Sequence, residues 1–204
     1  MARSQRQRER HEGLLRAARS AVIAHGTEVK LSQIAEHAGL TASAVLYHYP
    51  DVQTLVLEAN RAGMERFYDQ RMKAIQGLAD PADRLIVTIR SGLPVDGDDQ
   101  AVQLFCALGG GAARHPMYGA LLTTLYDRQV AMYQVILEAG AASGAFALTH
   151  ESLTIARNLV ALEDAYGYRI VAGHPNIDHD AAAELILEYA RAATGHELKP
   201  KETT

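Results

Sequence analysis

The stretch SQIAEHAGLTASAVLYHYPD, Ser32 to Asp51, constrains this chain more than any other. It holds a short helical phrase, a glycine, a second short helical phrase, and a proline that stops it. Leu31, Ile34, Ala35 and Ala38 recur at helical spacing, so the first phrase is a helix over 31–38 with those residues inward. Gly39 is placed for a left-handed turn, which a Cβ would resist. Thr41 caps the next helix through its hydroxyl. That helix ends near His48, because Pro50 disfavours the α conformation at Tyr49. Two helices joined by a tight glycine turn match the helix-turn-helix motif. Ala35 is small where they cross, and Val45 plugs the second helix onto the first. Thr41, Ser43, Tyr47 and His48 are then left outward, where they do little for a core. A helix presented in this way fits the width of the DNA major groove. On spacing alone, the competing reading is a plain helical hairpin inside a bundle.

The same periodicity continues on both sides. A first helix runs from about Arg6 to His25, with Leu14, Leu15, Ala18 and Val22 on one face and Gly26 as its stop. Asp51 caps a fourth helix that turns Val52, Leu55, Val56 and Ala59 inward and extends to Met72. Five more follow, at 81–92, 99–114, 117–140, 151–172 and 178–193. The expectation is an all-α chain of about nine helices. GLPVDGDD, from Gly92 to Asp99, is a loop, and the polar tail over 196–204 is expected to fray. The domain reading is a head over 1–50, a connecting helix over 51–72 and a body over 73–195.

Charge sharpens the division. Residues 1–50 carry seven Arg and Lys against four Asp and Glu, whereas 51–204 carry thirteen against twenty. A basic head on an acidic body suits a polyanionic partner for the head. No window approaches eighteen uncharged apolar residues, so no membrane span is expected. The basic start MARSQRQRERHEG leads into no apolar run, so it does not read as a secretory signal. The single cysteine, Cys106, allows no intrachain disulfide and fits a reducing compartment, so a cytoplasmic location is expected.

From Leu14 to Ala59, LLRAARSAVIAHGTEVKLSQIAEHAGLTASAVLYHYPDVQTLVLEA resembles the DNA-binding domain of the TetR/AcrR family of bacterial transcriptional repressors. The AHG ending the first helix, the LSQIAEHAGL phrase and the closing YHYPD carry the resemblance. It implies that Thr41, Tyr47 and His48 hold phosphates and that Ala42, Ser43, Ala44 and Leu46 face bases. Phosphate contacts position such a helix and base contacts specify the site. Two positions depart from the family. Leu46 stands where tyrosine is frequent, which implies an apolar contact such as a thymine methyl. Val52 replaces a phosphate-gripping lysine, for which Lys30 can compensate. The arm bearing Arg3, Arg6, Arg8 and Arg10 reaches the backbone or the adjacent minor groove, or is merely solvated.

Further along, ARHPMYGALLTTLYDRQVAMYQVILEAGAASGAF and LVALEDAYGYRIVAG are similar to the C-terminal domain of the betaine-type (BetI-like) branch. That resemblance implies a small-molecule site and a homodimer formed through helices 151–172 and 178–193. The residues agree in part. Ala156, Leu159, Val160, Leu162, Ala165 and Tyr166 make the first of these helices apolar almost all round, so it needs cover on more than one side. Either a partner protomer or a fully central place in a monomer supplies that cover.

Glycines 109–111 interrupt a helical pattern, each costing roughly 1 kcal/mol relative to alanine. A helix break, a close backbone approach and room for a ligand are all open there. Phe105, Cys106, Tyr118, Tyr126, Tyr133, Glu163 and Asp164 are the candidate pocket residues. A buried carboxylate is costly unless paired, so Glu163 or Asp164 faces a cationic ligand, pairs with Arg157 or Arg169, or faces solvent. Tyrosines nearby would add cation–π and hydroxyl contacts.

An enzyme is not expected, since no nucleophile–base pair emerges from spacing. HPNIDHD, His174 to Asp180, lacks tight metal-ligand spacing and reads as a solvated loop, and GGG at 109–111 is no phosphate loop. No cofactor or metal is expected. The alternative to a ligand-controlled DNA-binding repressor is a helical adaptor that binds protein. It would leave the positive head and the exposed Tyr47–His48 pair without a purpose.

Overall fold

In the computed structural model residues 2–199 are described, the side chains of 2–4 and 6 excepted, and they form nine helices and no strand. These are α1 (Ala2–His25), α2 (Leu31–Ala38), α3 (Ala42–His48), α4 (Val52–Ala74), α5 (Pro81–Gly92), α6 (Gln100–Gly111), α7 (Pro116–Ala142), α8 (Ser152–Val171) and α9 (His179–Thr194). The all-α expectation and the order of its helices hold, with ends displaced by a few residues. Among the described residues no helix is long and apolar enough to cross a membrane.

Local chemistry sets the ends. Gly39 takes φ 63° beyond α2, and Gly26 takes φ 79° beyond α1. Asp80 and Asp178 cap α5 and α9, accepting from the N–H groups of Ala82 and Ala181 at 2.9 and 2.8 Å. Two ends differ from expectation. α1 begins at Ala2, because the Arg, Gln and Glu of its first turns are good helix formers and no proline interrupts them. The basic arm is therefore helical; Arg8 and Arg10 are exposed on it, and the side chains of Arg3 and Arg6 lie outside the described residues. α6 stops at Gly111, short of Arg114, where its three glycines have weakened it.

The chain divides into two units. The first is Met1–Phe67 with Gln103–Thr123, and the second is Tyr68–Val102 with Thr124–Thr204. In the first, Leu14, Ala18 and Val22 of α1 are buried with Ile34 and Ala35 of α2, Val45 of α3, Leu55 and Val56 of α4, and Leu104 and Leu108 of α6. Each fully buried Leu, Ile or Val among them contributes about 1.5–3 kcal/mol. The second unit centres on Leu85 and Ile89 of α5, Ile136 and Leu137 of α7, Ile155 and Leu159 of α8, and Ile186 and Leu187 of α9.

The expected frayed tail is a correction over residues 196–199. Leu198 is fully buried in the second core, the His196 ring stands edge-on to Phe146 at 5.7 Å, and Arg191 Nε donates to the Glu197 carbonyl at 2.9 Å. Leu198 supplies the apolar surface that holds this polar segment down. Residues 200–204 lie outside the described residues.

Candidate nucleic-acid interface and effector site

In the head, α3 is held rigidly and its outer face is left bare. Thr41 Oγ1 accepts from the Ala44 N–H at 3.2 Å, and Tyr49 leaves the helix in an extended conformation, as the following proline requires. Val45 is fully buried, on a helix that packs against α2. Tyr49 is a second anchor. Its hydroxyl lies 3.1 Å from His11 Nδ1, and His11 Nε2 lies 3.1 Å from Glu58 Oε1. With the imidazole proton on Nε2, the ring accepts from Tyr49 and donates to Glu58, an assignment made from these partners. Burial, with the Glu58 carboxylate beside it, raises the Tyr49 hydroxyl well above the usual tyrosine value. The anchor joins α1, the end of α3 and α4, and sequence reasoning missed it. A histidine and a tyrosine 38 residues apart carry no spacing signal.

The outer face holds the residues expected to meet DNA. Thr41, Ser43, Leu46, Tyr47, His48 and Lys30 are exposed, while Ala42 and Ala44 are half-buried. Tyr47 is 86% exposed and Leu46 46% exposed, large apolar surface left in water on a helix that had every opportunity to bury it. Tyr47 touches only the edge of its neighbour His48, at 5.2 Å between ring centroids, among the ring contacts described. Thr41 spends one lone pair on its cap and keeps its O–H free to donate. At the start of α4, Asp51 accepts from the N–H and hydroxyl of Thr54, at 2.7 and 3.0 Å, and these bonds hold its carboxyl below the usual range. Asp51 is therefore the cap expected of it.

The candidate pocket residues fall into both units. Phe105, Cys106 and Tyr118 belong to the first; Tyr126, Tyr133, Glu163 and Asp164 belong to the second. Phe105 is half-buried and stands edge-on to Phe67 at 5.1 Å, and Cys106 is half-buried. Tyr118 is buried against His115, which meets Glu28 at 2.7 Å; burial raises the Tyr118 hydroxyl. Tyr126 rests against the second core.

Glu163 is the residue whose surroundings differ most from expectation. Only 2% exposed, it pairs with Arg71 of α4, itself 1% exposed, and not with Arg157 or Arg169. Arg71 Nη2 donates to Oε1 at 2.7 Å and Nη1 to Oε2 at 3.1 Å, a two-pronged match. Tyr133 donates to the same carboxylate and accepts from Arg71 Nη2 at 3.3 Å, and Nη2 also reaches the Thr88 carbonyl at 2.9 Å. Burial pushes the Glu163 carboxyl up to about 6, against the opposing pull of Arg71 and Tyr133. The carboxylate in turn raises Arg71 against the cost of its own burial. A Cβ on Gly92 would run into both partners, so the glycine is the clearance that lets this pair close. Asp164, the next residue, is exposed.

Asn60 was also missed. It is fully buried on α4 in the first unit, and neither amide atom of its side chain has a hydrogen-bond partner. Each unmet buried polar group costs about 1–3 kcal/mol. In sequence, only its position four residues after Val56 and four before Met64, on an apolar face, hinted at burial. The HPNIDHD segment is used structurally: Asp178 caps α9, His179 Nδ1 lies 3.2 Å from the Pro94 carbonyl, and Asp180 pairs with Arg90 at 2.9 Å.

No family profile and no curated protein matches the chain. Solved structures do. The chain is similar to a transcriptional regulator from Saccharomonospora viridis solved in complex with choline, with TM-score 0.83 at 21% identity, over 91% of this chain and 97% of that one. It is similar to a TetR transcription regulator from Haloarcula marismortui, with TM-score 0.80 at 20% identity, over 91% and 98%. A TetR-family regulator from a Rhodococcus species gives TM-score 0.79 at 18% identity over the same shares. Identity is low, yet more than nine-tenths of each chain is covered by the match. The chain has the fold of the TetR-family transcriptional regulators.

Proposed function

We propose that this protein is a cytoplasmic, homodimeric transcriptional regulator that reads a palindromic operator with α3 of each protomer and responds to a small molecule. The observation that carries the reading is Tyr47, 86% exposed beside Leu46 on a helix capped and anchored at both ends. A rigid helix whose large side chains are left in water is built to meet a surface. The +3 charge of residues 1–50 makes that surface a polyanion. Tyr47, His48, Thr41 and Lys30 donate to phosphates; Ala42, Ser43, Ala44 and Leu46 lie against base edges. The adaptor reading would put a protein against Tyr47 and leaves the head's charge unexplained.

The dimer has its own support. Ala161, Ala165 and Tyr168 repeat at helical spacing on α8 and are exposed, as are Leu185 and Ala192 on α9. This is apolar surface for a second copy, which would cover it with the same two helices. Two α3 helices related by a twofold would then enter successive major grooves.

For the effector, Asn60 supports a ligand with both a donor and an acceptor, because such a ligand would satisfy the two unmet atoms. The choline in the Saccharomonospora viridis structure keeps small cations among the first to try. Glu163 already has a cation in Arg71, so Asp164 is the acid of this pair that remains exposed. Effector binding shifts the population toward one conformer, and α4, which has residues in both units, carries the shift. Release of DNA by the effector, giving repression, is the proposed direction.

Fluorescence anisotropy with the protein's own upstream DNA, against scrambled DNA and across a salt series, tests the reading. Two protomers per site, preference for the upstream fragment and a steep log–log salt slope are expected. Failure to bind that fragment or any sequence recovered by selection from random DNA would defeat it.

A further inference from the structure

A groove opens in the head beside the reading helix. It runs between α1, the C-terminal end of α2 and one side of α3, with a volume of about 530 Å³. Exposed Arg10, Arg16, His37 and His48 border it, and buried Leu14 and Ala17 form its floor. No acidic side chain lines it among the described residues. Two of its walls, Ala44 and His48, are on α3, so the groove is continuous with the face proposed to meet DNA. Among the ion pairs of the described residues, the groove's Arg16 meets Glu12 at 3.9 Å, with both side chains more than half exposed. An exposed helical pair of that kind is weak and yields readily to a stronger anion.

Gly13 is the second observation. It lies inside α1 at an ordinary helical φ, where glycine weakens a helix relative to alanine. A Cβ there would meet nothing nearer than the Arg16 guanidinium, at 3.9 Å. No packing contact within the protein demands a glycine at this place. Gly13 lines the groove between Arg10 and Arg16.

We propose that this groove seats DNA backbone phosphates beyond those held by α3, with Arg10, Arg16 and His37 as the donors. The inference rests on the DNA-reading function above and extends it to residues outside the helix-turn-helix. An open cationic cleft with small residues at its base lets a sugar–phosphate chain come close. Arginine forks then bind phosphate oxygens two at a time, and the histidine adds a further N–H. Such contacts carry no sequence information. They set how tightly and in what register α3 is seated.

Because a side chain at position 13 has room, the test need not damage the fold. Gly13→Glu, Gly13→Gln and Gly13→Lys are compared with wild type and with Arg16→Ala, each checked by thermal melting, on upstream and scrambled DNA across salt. Gly13→Glu is expected to weaken both DNAs by the same factor, about tenfold, and Gly13→Lys to tighten both, with Gln near wild type. Arg16→Ala should lower the log–log salt slope by about 1, the mark of one lost phosphate. The groove is ruled out as a DNA contact if wild type binds while folded Gly13→Glu and Arg16→Ala keep its affinity and slope. Equal losses in the Glu and Gln variants at an unchanged slope would mean steric closure without phosphate contact, and would also overturn it. Wild type that binds neither DNA would sink the DNA-reading function itself, and this inference with it.

Discussion

The two units of this protein treat charged and aromatic side chains in opposite ways. In the second, Arg71, Glu163 and Tyr133 are taken out of water and turned upon one another through the hydrogen bonds they share. In the head, Arg10, Arg16, Tyr47 and His48 stand in water around α3 with few answering groups. Desolvated charge must be matched internally or the fold fails. Solvated charge and exposed aromatic surface carry no such debt and remain available to a partner. A satisfied cluster thus marks where the molecule holds its shape, and an unsatisfied one marks where it meets something else.

The comparison breaks most easily at Arg71. Arg71→Ala leaves Glu163 buried and unpaired, and equilibrium urea unfolding should show a loss of about 3–5 kcal/mol. Replacing both partners, Arg71→Met with Glu163→Leu, should recover most of that loss, because an apolar pair needs no match. A double variant no better than Arg71→Ala would mean that the cluster does more than satisfy itself.

Asn60 sharpens the comparison, since it is buried like the second-unit cluster yet unmatched like the head. Asn60→Leu should raise stability, by about 1–3 kcal/mol if both unmet groups are relieved. It should also abolish any effector response that the wild type shows in DNA release. A stabilised variant with its effector response intact would make Asn60 a structural defect only.

Gly39→Ala forces a Cβ into the left-handed turn between α2 and α3 and should cost roughly 1–2 kcal/mol. DNA affinity should fall further than the lost stability alone accounts for, because the turn sets the angle of α3. The smallest effect is a pH dependence. Glu163 binds its proton more tightly folded than unfolded, its carboxyl being raised from 4.5 to about 6. Its contribution to stability is therefore present below about 4.5 and lost as pH rises through about 6. Subtracting the Glu163→Gln profile from wild type should isolate that step.

Much of the fold was legible because helix ends carry their own signals. Gly26, Gly39, Pro50 and Asp51 each dictate a stop, a turn or a cap from local chemistry, and each stands where that chemistry places it. The outward face of α3 was legible for the same reason, as Val45 is the one position of that helix that faces the core. Long-range pairing was not. Glu163 could be recognised as a costly carboxylate in an apolar helix, but its partner lies 92 residues away, and nearer arginines competed for the role. Leu198 escaped notice because one leucine in a polar tail has no periodicity, and its burial comes from the core that the tail folds back upon.

The most direct test of the central claim pairs two readings on one variant, Tyr47→Ala. The side chain is bare, so its thermal melting should match wild type, within about 0.5 kcal/mol in stability. Its affinity for the upstream DNA should fall at least fivefold, with a smaller salt slope if the hydroxyl holds a phosphate. A variant that melts like wild type and binds that DNA equally well would contradict the account, because the bare tyrosine of α3 would then be touching nothing.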